Sequence, residues 1–281
     1  MIQTICICGA GTMGSGIAMA ASQSGFKTIL YEINPGRLEY AKIQIEKNLD
    51  QLVAKKKISI SQKEEQTCRI QFEQNIEECN GDIVIEAISE DEDMKAGLFK
   101  SLAPHNTSNT IFASNTSSLS IAAIAKKTDF KERVIGMHFF NPATSMKLVE
   151  VVISPFTSNL TKELVTSLAL QMGKIPILCR DAPGFIVNHV ARPFYLEALW
   201  MIEQKISEME TIDELMEASG FKMGPFRLMD LIGNDINFAV SESIYQALGK
   251  PTRLRPSPIQ EGKVLSGQLG RKTGMGYYSY P

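Results

Sequence analysis

The sequence is poor in the features that send a chain into a membrane, a metal site or a nucleic-acid complex. No apolar run among its 281 residues approaches the roughly 20 that a membrane span requires. Basic residues do not cluster beyond "AKKK" at 54–57, and the formal net charge is −2, so neither nucleic acid nor a membrane surface is indicated as a partner. The five cysteines, Cys6, Cys8, Cys68, Cys79 and Cys179, form no C-x-x-C, and histidines number only three. That excludes the usual zinc spacings and predicts no metal; the thiols read as small core residues in a reducing cytoplasm. The opening "MIQTICICGAG" has neither the basic segment nor the cleavage site of a signal peptide, so the expected location is cytoplasmic. G-x-x-x-x-G-K-[ST] is missing, which removes a P-loop. G-x-S-x-G is also missing, which removes the nucleophile elbow of a serine hydrolase.

What is present is a globular composition, 44% apolar and 21% charged, long enough for one large domain or two ordinary ones. Strand and helix signals alternate over the first 180 residues. Strands are expected in the apolar run 4–11, which ends in glycines, and at 27–32, 69–72, 82–88, 110–115, 133–140, 147–154 and 175–179. Helical patterns follow Gly11, Arg37 and residue 160, and Ser61-x-x-Glu64 reads as a capping box opening another helix. Apolar strands separated by helices imply a parallel sheet covered on both faces. The pattern changes at "RDAPG" (180–184), beyond which helical signals dominate. Residues 185–206 form a long helical pattern containing Pro193. Thr211 to Glu214 reads as a second capping box, and 226–249 is amphipathic. The expected fold is an α/β Rossmann-like domain over 1–180 followed by an all-α domain over 181–281.

The first strand runs into "GAGTMGSG", where Gly9, Gly11 and Gly14 match G-x-G-x-x-G. The first glycine makes the turn, the second admits a pyrophosphate and the third lets helix and strand approach. Glu32 ends the second strand, where a carboxylate that binds a ribose belongs. A 2′-phosphate would be repelled there, and no arginine directly follows, so the pattern favours NAD over NADP.

Hydride transfer between an alcohol and a carbonyl also needs a proton carrier, and histidine is the usual one near neutral pH. His105 sits in a polar loop and His189 on a helix. His138 ends a strand of the expected sheet, where ligands of open α/β sheets bind. Glu150, twelve positions later, lies inside the apolar run "KLVEVVIS". Burying a carboxylate is costly unless it is paired. Two readings stand at this point. Glu150 fixes the tautomer of His138 in an orienting pair, or both residues sit partly wet at the sheet rim and are unrelated.

These segments resemble the 3-hydroxyacyl-CoA dehydrogenase family, of the short bacterial 3-hydroxybutyryl-CoA type, along essentially the whole chain. The resemblance is carried by "GAGTMGSGIA" (9–18), "VIEAISE" (84–90), "FASNTSSLSI" (112–121), "VIGMHFFNPATSMKLVEVV" (134–152), "DAPGFIVN" (181–188), "MGPF" (223–226), "LMDLIGNDI" (228–236) and "GRKTGMGYYSY" (270–280). It implies NAD-dependent interconversion of (S)-3-hydroxyacyl-CoA and 3-ketoacyl-CoA, with His138 as acid/base and Glu150 as its partner. By the same resemblance Ser117 and Asn188 hold substrate oxygens. Thr12, Met13, Glu90, Lys95, Asn115, Asn141 and Lys272 fall near cofactor or substrate. Lys55 and Lys56 match a segment that contacts the CoA end, although a solvated helix face explains them equally well. The resemblance further implies a homodimer formed through the C-terminal domain. Two departures, His189 after Asn188 and Arg227 after "MGPF", bear on helical packing or subunit contacts. The alternatives on the same fold are a dehydrogenase of free hydroxy acids or sugar acids, and a non-catalytic NAD-binding protein.

Overall fold

The computed structural model describes residues 2–280, which divide into two compact units between Asp181 and Ala182. The first unit is built on one eight-stranded sheet, in the order β3-β2-β1-β4-β5-β6-β7-β8. The strands are β1 (Thr4–Cys8), β2 (Lys27–Tyr31), β3 (Ile70–Glu73), β4 (Ile83–Glu86), β5 (Ile111–Ser114), β6 (Val134–Phe139), β7 (Leu148–Ile153) and β8 (Ile175–Arg180). The helices of this unit are α1 (Thr12–Gln23), α2 (Pro35–Ala54), α3 (Ile60–Cys68), α4 (Glu92–Leu102), α5 (Ile121–Lys126) and α6 (Asn159–Gln171). Ile5, Cys6, Ile7 and Cys8 of β1 are wholly buried, as expected of a central strand covered on both faces. The small residues Gly14, Ala18 and Ala21 of α1 are buried in the same unit.

Several expectations change. The sheet is parallel except at β6 and β7, which pair antiparallel. The link between them, 140–147, is too short for the crossover that a parallel pair requires. At the other end of the sheet's order β8 exposes Ile175, Ile177 and Leu178, so the cover on both faces stops before that edge. The capping box of α3 is Ser59 with Gln62, two residues before the expected start, leaving Ser61 inside the helix. Ser59-x-x-Gln62 satisfies the same pattern and lies nearer to the left-handed Lys56 that follows α2. Of the five cysteines Cys68 is exposed rather than core.

The second unit contains α7 (Val187–Glu203), α8 (Met209–Ala218), α9 (Pro225–Ile232), α10 (Asn234–Ala247) and α11 (Pro258–Leu265). Pro193 lies inside α7. The capping box at Thr211 does not form, because α8 begins at Met209 after Glu208 and no side chain caps it. The amphipathic stretch 226–249 is two helices, broken where Gly233 takes φ +105°. Tyr195, Leu199, Phe226, Met229, Ile244 and Tyr277 form its core. Two buried carboxylates organise the chain end. Asp230 accepts from the Tyr277 and Tyr278 amides, the Tyr280 hydroxyl and the Asn234 amide group. Asp213 accepts from the Phe226 and Arg227 amides and the Tyr278 hydroxyl. Arg227 reaches Glu217 at 3.0 Å.

Candidate active site

Because β1, β4, β5 and β6 run parallel, their carboxyl ends share one edge, and the loops that follow them gather there. The chain moves from β1 outward to β2 and β3, then crosses to β4 on the other side of β1. That reversal is where an open α/β sheet forms its ligand crevice.

The glycine loop lies at this point, and its geometry is steric. Gly9 has φ +100°, and a Cβ there would lie 2.8 Å from the Ala87 carbonyl oxygen. A Cβ on Gly14 would lie 1.7 Å from the Gly9 carbonyl oxygen, whereas one on Gly11 would meet no atom within 4 Å. Gly11 is the N-cap of α1 and no side chain caps that helix, which leaves the start of α1, with Thr12 and Met13, as a backbone anion site. Glu32 is buried, and its carboxylate accepts from the Ala10 amide at 3.1 Å and the Asn34 amide at 3.0 Å. It is thereby held beside the loop, and no cation occurs between Thr28 and Gly36. A dinucleotide with free ribose hydroxyls fits this cradle, by its open second glycine and its fixed carboxylate.

His138 and Glu150 are direct register partners across the antiparallel pair. Nδ1 of His138 lies 2.8 Å from a Glu150 carboxylate oxygen, and both side chains are buried. A carboxylate can only accept, so Nδ1 carries the hydrogen. The Phe140 ring stands 4.5 Å from the imidazole, centroid to centroid.

Beside this pair is a second charged group. Glu90 accepts from the Thr116 hydroxyl at 2.5 Å and from the Ser117 amide at 2.9 Å, which fixes the loop after β5. Lys95, 1% exposed, bridges Glu90 at 3.3 Å and Glu86 at 2.7 Å. Burial pushes the Glu86 carboxyl above its ordinary range, against the pull of Lys95. For Glu90 burial acts the same way, but the Lys95 charge and its hydrogen-bond donors prevail and hold it below that range. Asn115 accepts from the Phe139 amide and so ties β5 to the end of β6.

Thus the first unit brings together the glycine loop, Glu32, Glu90, Lys95, Asn115, Ser117, His138, Asn141 and Glu150 along one sheet edge. Lys55 and Lys56 follow α2 and are exposed. In the second unit Asn188 lies in the first turn of α7, and Lys272 pairs with Asp235 at 2.6 Å. Sequence reasoning passed over Glu86, although "DIVIEAI" carries the same signal as Glu150, a carboxylate inside an apolar strand.

Comparison with known proteins identifies two family domains. The 3-hydroxyacyl-CoA dehydrogenase NAD binding domain matches residues 4–182, and the 3-hydroxyacyl-CoA dehydrogenase C-terminal domain matches 184–280. A probable 3-hydroxybutyryl-CoA dehydrogenase of Bacillus subtilis is 40% identical over 99% of this chain and 98% of its own length. A 3-hydroxyadipyl-CoA dehydrogenase of Escherichia coli is 42% identical, and this chain spans 59% of that protein. The crystal structure of (S)-3-hydroxybutyryl-CoA dehydrogenase from Ralstonia eutropha superposes with a TM-score of 0.94 at 37% identity, covering 100% of both chains.

Proposed function

The chain belongs to the 3-hydroxyacyl-CoA dehydrogenase family, and from that membership we propose that it oxidises (S)-3-hydroxyacyl-CoA, with 3-hydroxybutyryl-CoA the favoured substrate, and reduces the 3-ketoacyl-CoA in reverse. Bound NAD supplies the hydride acceptor, and its reduced form the donor. The observation that carries the reading is the buried 2.8 Å pair of His138 and Glu150, on the sheet edge that bears the glycine loop.

In the oxidising direction Nε2 of His138 takes the proton of the 3-hydroxyl, and in reduction it returns it. Acid–base help of this kind is typically worth about 10²–10⁴-fold. Glu150 holds the Nδ1 hydrogen and stabilises the imidazolium that forms. Ser117 and Asn188 bind substrate oxygens, and Glu90 keeps Ser117 in place through its amide. Gly11, Thr12 and Met13 receive the pyrophosphate, and Glu32 the ribose hydroxyls. Asn115, Asn141 and Lys272 border cofactor or substrate, and Lys55 and Lys56 meet the CoA end. The protein acts as a cytoplasmic homodimer joined through the second unit, where Trp200 and Leu215 are 50% and 64% exposed. Among the described residues no helix is long and apolar enough to cross a membrane.

The test is acetoacetyl-CoA reduction by His138→Ala, with NADH binding followed by fluorescence. Turnover falls by at least two orders of magnitude while NADH still binds. A near-parent rate refutes the base assignment. Glu150→Gln slows the reaction and alters its pH profile, and an unaltered profile refutes the pair. Turnover of acetoacetate at the rate of its thioester refutes the substrate class.

A further inference from the structure

The link 140–147 joins the strand that carries His138 to the strand that carries Glu150, so its position sets how that hairpin ends. It is held from two sides. Ala143 is 2% exposed. On the α1 side its methyl lies 3.3 Å from where a Cβ on Gly16 would stand, so the link rests on the helix that opens from the glycine loop. On the other side stands Lys174, which follows α6 and leads into β8. Its ammonium donates to the Ala143 carbonyl at 2.5 Å and to the Met146 carbonyl at 2.9 Å. The adjoining Ile175 amide donates to the Lys147 carbonyl at 2.8 Å.

Lys174 is 7% exposed, and among the described residues no carboxylate pairs with it. Burial pulls its pKa below the ordinary lysine range. A buried charge without a counter-charge is costly. An apolar side chain would fill the same space at less cost, but it has no donor to draw two carbonyls of one loop to a single point. Charge-assisted hydrogen bonds are shorter and roughly twice as strong as neutral ones, so the ammonium fixes a loop that has only Ala143 buried in the core.

We propose that Lys174 is a positioning residue of the reaction: by gathering the Ala143 and Met146 carbonyls it presses the 140–147 link onto α1 and fixes the aim of His138 and Asn141. This rests on the reaction proposed above. Lys174 touches no reacting atom and acts through the loop. A displacement of about 1 Å at a catalytic group can cost about 100-fold in rate, so the loss belongs in kcat rather than in cofactor affinity.

The experiment compares the parent protein with Lys174→Met and Lys174→Ala in acetoacetyl-CoA reduction. NADH titration gives both Kd and the fraction of sites that bind. Expected is a 10- to 100-fold fall in kcat per NADH-binding site, with Kd for NADH and KM for acetoacetyl-CoA within threefold of the parent. Added ethylammonium should restore at least a third of the lost kcat in Lys174→Ala and nothing in Lys174→Met, whose side chain fills the space. A kcat within twofold of the parent in both variants overturns the inference. So does a loss explained wholly by fewer binding sites, which is what a merely structural role produces. If neither variant folds, Lys174→Gln, which keeps a donor without the charge, decides by the same kcat criterion at threefold. A parent protein without turnover refutes the proposed reaction and this inference together. An active parent with an unchanged variant refutes this inference alone.

Discussion

Replacing Lys95 by Met tests whether the charged group beneath the Ser117 loop works as described. Glu86 is 0% exposed and takes hydrogen bonds from the Lys95 ammonium at 2.7 Å, the Ser114 hydroxyl and the Ile88 amide at 3.2 Å. Removing one partner of a buried ion pair typically costs about 3–5 kcal/mol. The stranded carboxylate can escape by taking a proton. Keeping a carboxyl of ordinary pKa protonated costs about 1.36 kcal/mol per pH unit above ~4.3, or about 1 kcal/mol at pH 5 and about 4 at pH 7. The sign follows from the direction of the shift. Burial already raises the Glu86 pKa in the folded state, and loss of Lys95 raises it further. A carboxyl raised on folding favours the folded state only while protonated, so its contribution is largest at low pH and is lost as pH climbs toward the folded value. Lys95→Met is therefore expected to lose about 1–2 kcal/mol at pH 5 and about 4 at pH 7. Glu86→Gln/Lys95→Met should recover to within about 1–2 kcal/mol of the parent at both, because the fully buried Glu86 charge is gone and Glu90, which also loses its cation, keeps the Thr116 and Ser117 donors. Urea unfolding followed by far-UV circular dichroism is the assay. The single tryptophan, Trp200, lies on α7 in the other unit, and its fluorescence would follow the wrong structure. A loss below about 1 kcal/mol at pH 7, or an equal loss at both pH values, refutes the reasoning.

Gly14→Ala places a methyl 1.7 Å from the Gly9 carbonyl oxygen, a backbone clash that no rotamer relieves. NADH affinity should fall at least 100-fold by fluorescence titration, and near-parent affinity would contradict the loop geometry. Glu32→Ser should raise the kcat/KM ratio of NADPH to NADH at least tenfold, equal to about 1.4 kcal/mol, by removing the carboxylate that faces a 2′-phosphate. NADH affinity falls with it, since the Ala10 and Asn34 amides lose their acceptor. Asp230→Ala strands the donors of Tyr277, Tyr278, Tyr280 and Asn234 and should cost the second unit at least about 3 kcal/mol, read from Trp200 fluorescence in urea.

Features with strong local causes were legible in the sequence. Continuous apolar runs marked the strands within a few residues, and the glycine spacing marked the first turn, because both follow from sterics and burial of a few neighbouring residues. Glu150 stood out because a carboxylate in an apolar strand demands a partner. What escaped depended on distant or degenerate signals. The antiparallel turn between β6 and β7 is set by the shortness of one link, and it makes His138 and Glu150 face each other in register instead of merely sharing a sheet. Two serines, Ser59 and Ser61, satisfied one capping pattern, and the preceding turn chose between them. The stretch 226–249 kept its amphipathic period across Gly233, while the positive φ of that glycine ended one helix and began another.

Lys174 and Lys95 show why a charged residue is harder to place than an apolar one. In "GKIPIL" and "DMKAG" each lysine stands between one small and one large apolar residue, just as the exposed Lys42 of α2 does between Ala41 and Ile43. Folding buries both, and each then holds a loop that packs little apolar surface of its own. Lys95, through Glu90, fixes the loop carrying Ser117, and Lys174 fixes the link between His138 and Glu150. Asp181 does the same at the start of α5, accepting from the Ser120 hydroxyl and the Ala122 amide. Loops at a ligand crevice cannot be anchored by burying large side chains without filling the crevice they border. Charge-assisted hydrogen bonds reach backbone groups from below, gain strength in the low dielectric of the sheet edge, and leave the upper face of each loop to the ligand.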